Sequence, residues 1–140
     1  MCVVLLDLDH FKLLNDTCGH AAGDLVLQRF SSLLTEMLRK SDVVCRHGGE
    51  EFVAVMSNID AEGAQAMIAR LLEAFSSQQF ELGRRRLPRG SFSAGIALFP
   101  RHGHTLEQLL SRADRALYSA KNHGRARIET APRTGFSTFT

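Results

Sequence analysis

The sequence predicts an α/β chain, an α+β sandwich with helices flanking a central, mostly antiparallel sheet, and three observations lead there. Residues 2–6 form a continuous apolar run rich in Val and Leu, the pattern of a strand buried on both faces. Three longer stretches carry apolar residues at spacings of three and four, the period of a helix lying on a sheet. Between them, Arg46-His47-Gly48-Gly49-Glu50-Glu51-Phe52 sets two glycines and two acids between apolar, β-type runs, which reads as the turn of a hairpin. The resulting order is strand, helix, hairpin, helix, strand, helix, a layered arrangement that exposes strand ends and a hairpin tip together at one rim.

In chain order, the first strand is followed by Asp7 and Asp9, whose spacing of two points both side chains to one face, a common place for a metal. After Phe11-Lys12-Leu13-Leu14, residues 15–20 form a loop-forming cluster. A helix is predicted over 22–38, with Val26, Phe30, Leu33, Leu34 and Met37 on its buried face and Asp24 in its first turn, where the helix dipole favours an acid. Strands over 43–45 and 52–56 flank the glycine turn. Asp60 caps a second helix carrying Ala64, Met67, Ile68, Leu71, Leu72 and Phe75 on one face. Residues 80–87 read as a strand or hairpin arm, and 91–98 alternate as a better strand. Residues 100–104 are a loop in which His102 and His104 are solvated. Thr105 and Gln108 resemble a capping box for the last helix, whose stripe of Leu106, Leu109, Leu110, Ala113, Leu117 and Ala120 ends near Gly124. An edge strand over 127–129 and a flexible tail over 130–140 complete the chain, so 1–129 is read as one domain.

Composition narrows the functions. A length of 140 residues gives room for a single core. With 17 basic and 15 acidic residues, no charge excess calls for a polyanionic partner. Arg84-Arg85-Arg86 with Arg89 lacks interleaved aromatics and reads as a solvated loop rather than a nucleic-acid surface. Cys2, Cys18 and Cys45 form an odd set without metal-ligand spacing, which points to a reduced, cytoplasmic setting in which Cys18 and Cys45 are inert small apolar residues. The opening apolar run is too short for a signal peptide or a membrane span, so membrane attachment would come only through domains outside this chain.

The glycine turn is the informative stretch. Adjacent carboxylates repel at short range unless a cation neutralises them, and glycines beside them let the backbone approach a bulky anion. A metal-bound nucleotide phosphate satisfies both requirements.

These residues resemble the GGDEF family of diguanylate cyclases. The signature turn stands here in its GGEEF form at Gly48 to Phe52, Asp7-Leu8-Asp9-His10-Phe11-Lys12 is similar to D-x-D-x-F-K, and Asn15-Asp16 with Gly19-His20-Ala21-Ala22-Gly23-Asp24 is similar to N-D and G-H-x-x-G-D. Ala120-Lys121 with Gly124-Arg125 matches the closing A-K-x-x-G-R. The resemblance implies a palm-like nucleotidyl cyclase fold and the condensation of two GTP into cyclic di-GMP with loss of two pyrophosphates. It implies Asp7, Glu50, Glu51 and the Leu8 carbonyl as ligands of two Mg²⁺ or Mn²⁺ ions per active site, with Glu50 the better candidate to assist deprotonation. Gly48 and Gly49 would face the phosphates, Lys12, Lys121 and Arg125 would meet the β and γ oxygens, and Asn15 and Asp24, with Phe11 nearby, would read the guanine. An R-x-x-D product site with feedback inhibition is implied at Arg39-Lys40-Ser41-Asp42, with Arg70 as its additional arginine. A two-fold symmetric product needs two such turns face to face, hence a homodimer. The family's usual N-terminal helix and D-x-L-T-G-L-x-N-R run ahead of the first strand are not found in this sequence. The alternative reading is a catalytically silent domain that binds GTP or cyclic di-GMP and signals through contacts.

Overall fold

The computed structural model describes residues 1–132. Its elements in order are β1 (Cys2–Leu8), α1 (Phe11–Cys18), α2 (His20–Met37), β2 (Val43–Gly48), β3 (Glu51–Met56), α3 (Ala61–Ser77), β4 (Glu81–Leu82), β5 (Arg85–Arg86), β6 (Phe92–Leu98), α4 (Leu106–Asn122) and β7 (Ile128–Thr130). The main sheet runs β2-β3-β1-β6-β7, with every pairing antiparallel except β6 with β7. β4 and β5 form a separate small hairpin within the stretch predicted as a strand or hairpin arm.

β1 is central, and all seven of its residues are buried, as its unbroken apolar run requires. Its alternate residues divide the core. Cys2, Val4, Leu6 and Leu8 face the layer of α2 and α3, where Phe30 packs its ring 5.0 Å from Phe52, 4.9 Å from Phe75 and 5.3 Å from Phe92. Val3 and Leu5 face Leu109, Ala113 and Leu117 of α4 on the other side. Asp7 has the same parity as Val3 and Leu5, so its carboxyl belongs to the α4 face.

α4 lies unusually close to the sheet. A Cβ on Gly95 of β6 would stand 2.1 Å from the Ala113 carbonyl oxygen and 2.4 Å from the Leu117 nitrogen, both backbone atoms of α4. The helix can occupy this position only because β6 carries no side chain there. Thr105 caps its start by accepting the Gln108 N–H at 3.1 Å.

The structure departs from the sequence reading in several places, one of them Leu106, which is exposed at the start of α4 rather than part of its buried stripe. Residues 11–18, read mostly as loop, form α1: Phe11, Leu14 and Cys18 lie along one side of it against the core, and this packing outweighs the turn preference of Asn15-Asp16-Thr17. Because α2 begins at His20, Asp24 stands beyond its first turn, and the dipole argument for it fails. His102 is buried rather than solvated: its Nδ1 accepts the Leu98 N–H at 2.9 Å and its own N–H donates to the Leu98 carbonyl at 2.8 Å, while burial and then Arg112 and Arg101 lower its pKa. Cys45 is exposed on β2 and is no core residue. Thr130 ends β7 and Ala131 is buried, its N–H donating to Ile96 at 2.7 Å, so the predicted tail begins too early; residues 133–140 of it lie outside the described residues. Among the described residues, no helix is long and apolar enough to cross a membrane.

Gly95→Ala tests the close approach of α4. The added methyl must push one backbone against another, and we expect a loss of about 3 kcal/mol, toward the upper end of overpacking costs. Urea unfolding measures it; an unchanged midpoint would show that α4 has room to retreat.

Candidate functional site

The predicted rim exists where β1 ends. The Leu8 N–H donates to the Glu50 carbonyl at 3.2 Å and the Asp9 N–H to the Ser91 carbonyl at 2.9 Å, which ties the end of β1 to the β2–β3 turn on one side and to the approach of β6 on the other. In register, Asp7 stands opposite Glu51 of β3 and Ser93 of β6. Directly paired residues of antiparallel strands share a face, so the Asp7 and Glu51 carboxylates are neighbours, an arrangement unfavourable for like charges.

Lys121, near the end of α4, forms a salt bridge to the Asp7 carboxylate. Burial pushes the Asp7 pKa above the ordinary carboxylate value, Lys121 pulls it back, and the charges of Glu50 and Glu51 push it up again. Among the described residues, no three His, Cys, Asp or Glu side chains are already gathered as a metal site. The donor chemistry nevertheless suits a hard divalent cation: Asp7 and Glu51 on adjacent strands, Glu50 on the turn, and oxygen donors throughout. A cation there would relieve the repulsion that Lys121 now offsets alone.

Asp9 does not join these acids. Its Oδ2 accepts the Ser91 hydroxyl at 2.7 Å and the Ala126 N–H at 3.0 Å, and its Oδ1 accepts the Ser93 hydroxyl at 2.7 Å. With both oxygens engaged, it serves as a fastener between β1, β6 and the turn after α4. Spacing alone places it beside Asp7, and only the serines of β6 reveal the difference.

At the turn itself, β2 runs to Gly48 and β3 begins at Glu51, with a register shift between Arg46 and Gly48. Neither Gly48 nor Gly49 has a positive φ, and a Cβ on either would meet nothing within 4 Å. The chain's own packing therefore does not demand glycine at these positions. Arg46, to which the sequence reading gave no role, donates its Nε to the Gly49 carbonyl at 2.9 Å and so fixes the turn. A basic residue two positions ahead of the glycine pair was the available signal.

The residues assigned to the base lie on the other face. Asn15 is on α1 and Asp24 on α2, and the two helices meet closely: a Cβ on Gly23 would stand 1.9 Å from Asn15 Oδ1 and 3.1 Å from the Phe11 ring. That Asn15 oxygen is the one buried side-chain polar atom among the described residues without a hydrogen-bond partner, an acceptor left open. Asp24 is exposed beside a cavity of about 430 Å³ that Leu27, Arg46 and Phe52 also line. Lys12 is exposed on α1, and Arg125 is exposed in the turn after α4.

Arg39 and Asp42 are brought together, but by bonding each other. Arg39 gives Nε at 3.1 Å, Nη2 at 2.8 Å and its backbone N–H at 2.8 Å to the Asp42 carboxylate, and its Nη2 also donates to the Ser57 carbonyl at 2.6 Å. The Asp42 side chain is fully enclosed by this pair. Arg70 is exposed on α3.

Comparison with known proteins identifies the family and the fold. The family described as diguanylate cyclase, GGDEF domain, matches residues 1–127. The chain is 40% identical over 126 residues to probable diguanylate cyclase DgcE of Escherichia coli (strain K12), covering 90% of this chain and 11% of that protein. It covers 34% of diguanylate cyclase A of Treponema denticola at 31% identity, so the chain spans about a tenth and about a third of the length of these two relatives. Among solved structures, the GGDEF domain of DgcB from Caulobacter crescentus in complex with c-di-GMP superposes with a TM-score of 0.88 at 32% identity, over 93% of this chain and 77% of that one. The fold is thus the mixed α/β fold of GGDEF domains, and residues 1–127 belong to the diguanylate cyclase GGDEF domain family.

Proposed function

We propose that this domain is a diguanylate cyclase, condensing two GTP molecules into cyclic di-GMP with release of two pyrophosphates, in the cytoplasm. The observation that carries this reading is the buried Asp7 carboxylate, set beside Glu51 across two strands, under Lys121, and next to a glycine turn whose glycines the fold does not require. Carboxylates in this setting destabilise a fold unless a cationic ligand uses them.

The donors Asp7, Glu50, Glu51 and the Leu8 carbonyl would hold two Mg²⁺ or Mn²⁺ ions, which when bound supply charge neutralisation at the phosphates. Glu50, on the turn rather than in the ladder, would accept the proton of the attacking ribose 3′-hydroxyl. Gly48 and Gly49, where a Cβ would meet nothing within 4 Å, would let a phosphate approach the backbone of the turn closely. Lys121 and Arg125 then meet the β and γ oxygens, with Lys12 as a further cation, so that positive charge lies where the pyrophosphate leaves. Asn15 and Asp24 read the guanine, Phe11 flanking it: a carboxylate accepts from the N1–H and exocyclic amine together, which adenine does not offer. One turn presents one GTP, so catalysis needs a homodimer with two turns face to face. Cyclic di-GMP inhibits by binding Arg39, Asp42 and Arg70, and it must open the Arg39–Asp42 pair to do so.

Incubation with GTP and Mg²⁺ or Mn²⁺, followed by chromatography, should yield cyclic di-GMP, and Asp24→Ala should relax the preference for GTP over ATP; a silent binding domain would bind the nucleotide and yield no product. Asp7→Asn should abolish turnover while raising the melting temperature by a few degrees. The sign follows from its raised pKa: the folded state binds the Asp7 proton more readily than the unfolded chain, so the contribution of Asp7 to stability is greatest at low pH and declines as pH rises above the ordinary value of 3.8 and through the raised one. A melting temperature lowered by Asp7→Asn would refute that account. Calorimetry should show cyclic di-GMP binding that Arg39→Ala removes; binding indifferent to the substitution would exclude this product site.

A further inference from the structure

We propose that Asp9 and Glu129 are positioning residues that hold, from two sides, the strained turn presenting Arg125. Three successive residues after α4 have left-handed backbone: Gly124 at φ 114°, Arg125 at 64° and Ala126 at 49°. Glycine takes this conformation freely, but Arg125 and Ala126 do not, and such geometry persists only where the surroundings over-determine it.

The surroundings do so by unusual means. The Arg125 N–H donates to the Ala120 carbonyl at 3.0 Å, closing the helix end in the Schellman manner. The next N–H, of Ala126, goes at 3.0 Å to the Asp9 carboxylate, which is itself oriented by the hydroxyls of Ser91 and Ser93, each at 2.7 Å. On the far side Glu129 of β7 spans back to α4: its Oε1 accepts the Ser119 hydroxyl at 2.7 Å, its Oε2 lies 2.8 Å from His123 Nδ1, and Arg127 stands 3.7 Å away. The Arg127 carbonyl then accepts the Ala94 N–H at 3.0 Å, returning the chain to β6.

Two carboxylates, one just past the end of β1 and one on β7, thus fasten the ends of a short turn, and between them the exposed Arg125 side chain makes no hydrogen bond or ion pair among the described residues. Charge-assisted bonds of this kind fix direction as well as supplying energy. The turn holds its arginine ready for an anion outside the chain while meeting its own backbone requirements. This rests on the reading that Arg125 meets the GTP polyphosphate. Neither Asp9 nor Glu129 touches substrate in that reading; each acts through the turn.

The test compares binding of GTP and of GMP, which lacks the β and γ phosphates, in one magnesium buffer by calorimetry. Glu129→Gln and Asp9→Asn should each weaken GTP about tenfold, the weight of one charge-assisted hydrogen bond, and leave GMP within about twofold. Glu129→Gln keeps side-chain shape at the rim of the domain, so the test stands even where Asp9→Asn does not fold. If Arg125→Ala weakens GTP but folded Glu129→Gln binds it like the parent, the positioning role is overturned and the phosphate reading survives. If Glu129→Gln weakens GTP and GMP alike, its role is merely structural and the proposal also falls. If Arg125→Ala itself leaves GTP affinity unchanged, the phosphate reading fails and takes the proposal with it.

Discussion

The position of α4 against Gly95 is the constraint on which the candidate site depends. With its backbone resting on β6, α4 carries Lys121 to the end of β1, where the ammonium meets Asp7. Without that cation, Asp7 and Glu51 would face each other across paired strands with Glu50 adjacent, and burial would add its own penalty to their repulsion. A missing side chain in mid-strand thus decides whether an acidic cluster at the strand's end is tolerable. The turn that follows α4 inherits the same placement, since its left-handed residues can reach Asp9 only if the helix ends where it does.

The molecule separates its robust parts from its costly ones. The layer of α2 and α3 is built from interlocked phenylalanines and aliphatic residues with no unmet polar demand beyond Asn15. At the rim the rules are broken together: like charges in register, a partly neutralised buried acid and successive left-handed residues. Local violations of this sort persist when the remainder of the fold supplies the stability they consume.

Much of this was legible in the residues, and the exceptions have physical causes. The central strand, the hairpin and the last helix are written in strong patterns, because a strand buried on both faces and a helix lying on a sheet each leave a clear period. α1 was hidden because Asn15, Asp16 and Thr17 prefer turns in isolation, and only contact with α2 and the core decides for helix. His102 looked like a loop residue because its loop folds back under the end of β6. The adjacency of Asp7 and Glu51 follows from the register of β1 against β3, which the spacing of the β2–β3 hairpin does not set. The capture of Asp9 by Ser91 and Ser93 depends on residues about eighty positions away, and no local pattern encodes it. The mutual grip of Arg39 and Asp42 was likewise invisible, since their spacing serves an ion pair and a ligand site equally well.

The polarity of α4 carries a further consequence. It meets the site with its carbonyl end, the negative pole of its dipole, whereas helices that cradle phosphate by their backbone present the amino end. An anion arriving there gains nothing from the helix itself, and the cations Lys121 and Arg125 are outnumbered by the carboxylates of Asp7, Glu50 and Glu51. A bare anion therefore meets net repulsion at this rim, and one that brings its own counter-charge does not. The charge balance of the rim thus favours anions that arrive already neutralised over those that do not.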